Sequence, residues 1–313
     1  MRMIAANNLT GDGIQMKTLE ELVCSPTLTS GSQQPSIHLA VLNIFLSLTA
    51  ILGNSLILVA LRKESSLHPS SKLLYRSLAT TDLLVGLVTH PLSVTYRISS
   101  IYKQWNLCRY ARSACYLSSY ALCGVSLTTM TTISVDRLLA LLLGLRYKQI
   151  VTLKRTYIIV AAVWVASSVA AICYILIKRI GFWFLYIIVP LCLVISMAAY
   201  TKIFYTLRNN KARVQQQSSQ PHSLNLLRYR KAVYSALSVQ LALVVCYAPY
   251  IIVESVTAHR KTLSSHIVLV RGIVATLLYF NSTLNPFLYC WKISEVRKAV
   301  KQTIRQALCS PWS

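Results

Sequence analysis

Residues 38–61 read HLAVLNIFLSLTAILGNSLILVAL. The stretch holds no Asp, Glu, Lys or Arg, and at 1.5 Å per residue a helix of this length crosses the ~30 Å hydrocarbon layer of a bilayer. Similar stretches recur at about 72–97, 109–138, 156–177, 182–207, 230–257 and 266–290, making seven. Backbone N–H and C=O groups find no water there, so each stretch must be a helix, and no period-two alternation suggests a barrel. Length alone would suit two soluble domains, but 313 residues that are 55% apolar and 13% charged, with mean hydropathy +0.52, exclude that. The expected fold is an all-α membrane protein, a seven-transmembrane helix bundle with a C-terminal amphipathic helix.

A net charge of +24 suits nucleic-acid binding only when the basic residues line a polar face or a tail. Here they occupy short connections between apolar stretches, so no nucleic-acid partner is expected. Connections one, three and five and the C-terminal tail hold 21 of the 32 Lys and Arg, among them Arg62, Lys63, Arg146, Lys148, Lys231 and Arg297. The positive-inside rule puts these in the cytoplasm, and an odd number of spans leaves the N-terminus outside.

Residues 1–36, polar and interrupted by Gly11, Gly13, Pro26, Gly31 and Pro35, read as a disordered extracellular tail without the features of a cleaved signal peptide. Residues 37–291 form the seven-transmembrane domain, and 292–313 an amphipathic helix and cytoplasmic tail. Asn8 heads an accessible glycosylation sequon, whereas the same pattern at Asn281 lies inside a span. After the seventh span Ile293, Val296, Val300, Ile304 and Leu308 recur at helical spacing with Arg297, Lys298, Lys301 and Arg305 between them. This helix should turn its apolar side to lipid and its basic side to anionic head groups. Cys309 near its end is a candidate for palmitoylation.

Asp82 falls within a span, where an acid costs ~2.5–3.5 kcal/mol and needs partners. Other spans offer Asn54, Ser126, Asn281, Ser282 and Asn285, the last helix placing two asparagines four apart on one face. Such oxygen-rich chemistry suits a hard monovalent cation with water, namely sodium acting as an allosteric ligand. A hydrated polar network joining the helices fits the same residues, and both readings stand. Pro91, Pro190, Pro249 and Pro286 each remove a backbone hydrogen bond from a span and mark hinges. Carriers also break helices, but this chain lacks repeated halves and a chain of intramembrane acids.

Taken in order, Gly53-Asn54, the run Leu78–Leu84, Asp136-Arg137-Leu138, Leu145-Arg146-Tyr147, Trp164, Cys246-Tyr247-Ala248-Pro249 and Asn285-Pro286-Phe287-Leu288-Tyr289 resemble the rhodopsin-like (class A) G-protein-coupled receptors. The resemblance covers all seven spans and the following helix. It implies a plasma-membrane receptor that turns extracellular ligand binding into nucleotide exchange on a heterotrimeric G protein, without enzyme chemistry of its own. It also implies that Asp136 and Arg137 pair at rest and that the sixth helix swings outward about Pro249, beside Tyr247. Asn285, Pro286 and Tyr289 belong to the same switch, Tyr289 rotating inward to hold the open state.

Leu138 stands where the family usually has tyrosine, and Tyr247 where it has tryptophan. Many members lock the arginine with an acid at the inner end of the sixth helix; Arg228-Tyr229-Arg230-Lys231 would repel it, so raised signalling without agonist is expected. The family's outer disulfide is absent, since Arg112 holds the third-helix position and the short connection at about 178–181 has no cysteine. Cys24, Cys108 and Cys115 remain, either with Cys24 bonded to Cys108 or as three free thiols.

That short outer loop resembles melanocortin, sphingolipid and cannabinoid receptors, with adenosine-like features around Leu67-His68-Pro69. Ser119 replaces the aspartate of amine receptors and Tyr279 the lysine that holds retinal in opsins, so both classes are disfavoured and no retinal is expected. A pocket in the outer half should involve Tyr96, Ser119, Tyr120, Glu254, Arg271 and Tyr279 and take a small-molecule, lipid or peptide agonist. Glu254 would either bind a cationic group or bridge to Arg271, the bridge being preferred. Two other readings compete: an ion carrier or channel built on Asp82, and a receptor-like protein that no longer signals.

Overall fold

The computed structural model describes residues 23–25, 33–63, 67–176, 184–217, 241–257, 264–292 and 294–309. All regular structure among them is helical. Helix α1 is Gln33–Lys63. Helix α2 comprises Pro69–Leu84, a π-helical turn at Val85–Thr89 and His90–Ile101. Helix α3 is Trp105–Leu143, α4 is Leu153–Leu176, and α5 is Val189–Gln217, entered through a π-helical turn at Phe184–Ile188. Helix α6 is Leu241–Thr257, α7 is Ser265–Lys292 and α8 is Ser294–Cys309.

Five of these, α1, α3, α4, α5 and α7, are each long and apolar enough to cross a bilayer. The three pieces of α2 reach that length together, and α6 is a shorter apolar helix over its described residues. The result is a seven-helix membrane bundle with α3 at its centre, packed on α2, α4 and α5. Helix α4 shows why apolarity alone does not mean core: only 17% of its most apolar stretch is buried, and Ile158, Val165, Val169 and Ile172 face outward. A helix apolar all round with one buried side belongs in lipid.

Three of the four span prolines are accommodated in two ways. Pro91 and Pro190 each follow a π-helical turn; before Pro91 the His90 N–H reaches back five residues to the Val85 carbonyl. The widened turn relieves the clash of the proline ring with the preceding turn. At Pro286 a side chain intervenes instead, Asn54 Nδ2 donating at 3.0 Å to the Ser282 carbonyl that proline leaves without its usual donor. Gly53 permits that approach, since a Cβ there would lie 2.9 Å from Pro286 Cγ.

Three expectations need correcting. Helix α1 begins at Gln33, inside the stretch read as tail, because Pro35 falls in the first turn, where a missing N–H costs nothing. The tail is also not free throughout. Val23 and Cys24 are buried, and Cys24 is disulfide-bonded to Cys108 at the start of α3, leaving Cys115 a buried thiol. Finally, α8 does not give its whole apolar side to lipid. A single residue separates it from α7, so it folds back across the helix ends, and Val296, Ala299 and Val300 bury themselves against protein, with α1 and α7 as neighbours. Ile304, further along, stays exposed. Asn8 and the Arg228–Lys231 stretch lie outside the described residues, as do the side chains of Tyr289 and Cys309.

Candidate functional site

Polar groups gather at three depths of the bundle. At the end where α3 finishes, Arg137 Nη2 lies 2.6 Å from Asp136 Oδ2, with Nε at 3.2 Å from the same oxygen. Two further residues complete the latch. Tyr147, on the one-turn helix Tyr147–Ile150, donates its hydroxyl to Asp136 Oδ1 at 2.6 Å, and Ser71 of α2 donates to Oδ2 at 3.0 Å. Arg137 also donates to Ser71, and its guanidinium sits 5.8 Å above the Tyr75 ring. The His68 ring meets Tyr147 edge-on at 5.0 Å and holds the loop in place. Sequence reasoning missed Ser71, Tyr75 and the role of Tyr147; hydroxyl-bearing residues in the first turn of the second helix were the available signal.

At mid-depth, Asp82 accepts hydrogen bonds from Ser126 at 3.2 Å, Ser282 at 2.8 Å and Asn285 at 2.6 Å, tying α2, α3 and α7 together. Asn54 and Asn281 do not reach Asp82. Asn54 spends its amide N–H groups on the Ala50 and Ser282 carbonyls, and Asn281 points its own at Met130 Sδ, 3.6 Å away. The amide oxygens of Asn54, Asn281 and Asn285 are buried without a partner. A carboxylate and amide oxygens left without a partner are the kinds of group that bind a hard cation or water. Among the described residues no His, Cys, Asp and Glu cluster offers a site for a transition metal.

Toward the Cys24–Cys108 end, Arg271 binds Glu254 through two hydrogen bonds, at 2.9 and 2.8 Å, with both side chains buried. Below this pair a cavity is lined by Ser119, Tyr120, Cys123 and Leu127 of α3 and by Tyr247 and Tyr250 of α6, with Val189 and Leu278 closing its sides. Ser119 and Tyr120, the latter stacked on Tyr174 at 4.9 Å, are thus brought to it. The other four expected pocket residues are not among its walls. Glu254 and Arg271 hold one another, Tyr96 lies under the Arg97 guanidinium at 5.0 Å, and Tyr279 packs between Cys115 and the His90 ring. Tyr247, two residues before Pro249, lines the cavity and donates to the Cys123 carbonyl at 3.2 Å, so the expected hinge and the cavity are adjacent. A buried His90–Asn43–Thr276 network joining α1, α2 and α7 was not anticipated.

The cavity near Pro249, the Asp136–Arg137 pair at the far end and the Asp82 cluster between them thus lie along the length of one bundle. The model of the 7 transmembrane receptor (rhodopsin family) matches residues 53–181 and 177–289. The chain belongs to this family. This rhodopsin-family receptor is 23% identical over 316 residues to the adenosine receptor A3 of Ovis aries, covering 91% of this chain and 96% of that one. It is 27% identical over 290 residues to the histamine H2 receptor of Rattus norvegicus, covering 85% and 79%. It is also 24% identical over 287 residues to the trace amine-associated receptor 9 of Rattus norvegicus, covering 82% and 83%. The family is one of receptors, not of enzymes, and its members cross the membrane several times.

Proposed function

We propose that this receptor lies in the plasma membrane with its Cys24–Cys108 end outside, binds its agonist in the cavity, and accelerates nucleotide exchange on a heterotrimeric G protein at the opposite end. The observation that carries the reading is the closed latch of Asp136, Arg137, Ser71 and Tyr147. Every contact in it would have to loosen for Arg137 to meet a partner, and a ligand that binds the loosened arrangement better shifts the balance toward it. An occupant of the cavity presses on Tyr247 beside Pro249, so α6 is the element that moves. Asn285 and Pro286 link the Asp82 cluster to the end of α7 that carries Tyr289. Ligand-independent ion flux in reconstituted vesicles would instead favour the carrier reading.

Sodium fits the Asp82 cluster as an allosteric ligand, with Asp82 and the unpaired amide oxygens of Asn54, Asn281 and Asn285 as its holders and Ser126 and Ser282 beside them. A bound cation would supply charge compensation and favour the packed arrangement of α2, α3 and α7. Replacing sodium chloride with choline chloride at equal concentration is expected to raise exchange by the agonist-free receptor, and Asp82→Asn to abolish that response. An unchanged response in the variant removes sodium from the mechanism.

The sequence Arg228–Lys231 carries no acid that could lock Arg137, and basal exchange is therefore expected to be high. Tyr229→Glu should lower agonist-free exchange in vesicles several-fold by supplying a charge-assisted bond to Arg137. Equal rates in the two proteins would dispose of this idea.

A further inference from the structure

Three guanidinium groups are buried near the Cys24–Cys108 end: Arg97 of α2, Arg112 of α3 and Arg271 of α7, exposed by 5%, 4% and 7%. Buried charges persist when they are paired and hydrogen-bonded. Arg271 has Glu254, yet its Nη1 is buried without a partner, and so are Arg97 Nε and Arg112 Nη1. Neither Arg97 nor Arg112 has an acidic partner among the described residues. Their neighbours are aromatic: Arg97 lies over Tyr96 at 5.0 Å, while Arg112 and Arg271 share the Tyr116 ring at 5.3 and 5.9 Å. Cation–π contacts are too weak to offset the burial of two ions that have no acidic partner among the described residues. Gly272 makes room for the Arg97 guanidinium, since a Cβ there would come within 2.7 Å of Nη2.

The register of the helices connects this cluster to the cavity. Arg112 and Ser119 are seven residues apart on α3, and Arg271 and Leu278 seven apart on α7. Seven residues are two turns, ~10 Å of rise, and return to the same helix face. The arginines therefore stand directly above cavity-lining residues on two separate helices. Among the described residues Glu254 neutralises one of the three charges, and the other two repel a cation.

We propose that Arg97, Arg112 and Arg271 form the head-group subsite for an agonist that carries a carboxylate or phosphate and extends an apolar body into the cavity below. This deepens the proposed function and rests on the cavity being the agonist site. Guanidinium groups present paired N–H donors that match carboxylate and phosphate oxygens, and an anion seated among them removes the cost of leaving them unpaired.

The test uses the full-length receptor purified in detergent, heated with equal sub-micellar concentrations of decanoate, decyl phosphate, decanol, decylamine or inorganic phosphate. A rise in the unfolding midpoint with decanoate, decyl phosphate or both, and none with decanol or decylamine, is expected. Arg97→Gln and Arg112→Gln should each weaken the dependence on the anion about tenfold or more, without lowering the midpoint of the ligand-free protein. Arg112→Lys, which keeps the charge, should retain part of the effect. The proposal is overturned by equal shifts with decanol and decanoate, by no shift with either amphipathic anion, or by glutamine variants that respond like the parent. It is also overturned if inorganic phosphate alone matches decyl phosphate, or if both glutamine variants lose ligand-free stability, which would reveal a structural role. Nucleotide exchange measured on the same samples separates the two readings: a midpoint shift without exchange keeps the anion site and removes the G-protein function.

Discussion

Glu254→Leu destabilises the receptor by ~3–5 kcal/mol, the expected consequence of leaving the Arg271 guanidinium buried without its carboxylate. The pair makes two charge-assisted hydrogen bonds in a largely buried setting, so removal of one partner exposes much of the desolvation cost of the other. The double variant Glu254→Leu, Arg271→Leu should recover most of the loss, because two apolar side chains of moderate size suit the same surroundings. Thermal unfolding of the purified protein decides the matter. A loss of no more than ~1 kcal/mol in the single variant would place the pair in the class of solvated surface bridges. The same measurement bears on ligand choice: with Glu254 gone the subsite holds a third uncompensated charge, and decanoate should restore part of the lost stability.

Arg137→Ala is expected to reduce agonist-stimulated nucleotide exchange at least tenfold while leaving anion-dependent stabilisation at the opposite end intact. The guanidinium is the group that the latch holds and that an opened receptor would offer to its partner, so no other side chain replaces it. Asp136→Asn acts in the opposite direction. It removes the negative charge and one of the two oxygens that accept from Arg137, Tyr147 and Ser71, and losing charge-assisted bonds worth ~1.5–3 kcal/mol each tips the resting equilibrium toward the open form by a factor of ten or more. Exchange of a labelled guanine nucleotide on receptor in vesicles measures both. Coupling that survives Arg137→Ala unchanged would leave a receptor-like protein whose latch does not signal.

Some of these sites were legible before any coordinates and some were not, and the division is physical. Asp136 and Arg137 are neighbours in the chain, so their pairing needs only a helix end. Asp82 needed partners wherever the helices placed it, and few polar residues in the other spans could supply them, although the residues that do bond to it proved to be Ser126, Ser282 and Asn285. Ser71 and Tyr147 were invisible because their contact with Asp136 depends on how a short loop folds back, which no periodicity encodes. For Glu254 the residue types allowed either a ligand contact or a bridge, and the relative rotation of α6 and α7 selects the bridge.

By itself the sequence determined the number of apolar helices, the polar side chains obliged to find partners among them, and the likeness in order and spacing to one receptor family. These follow from the cost of placing a charge or a free backbone group in hydrocarbon, a cost each segment carries independently of its neighbours. Only the tertiary structure decided that Cys24 is joined to Cys108, that α8 packs on protein, that the cavity lies between α3 and α6 beside Tyr247, and that Arg97, Arg112 and Arg271 are buried at one end with only Arg271 paired to an acid among the described residues. Depth, rotation and loop closure set those distances, and they depend on every helix at once.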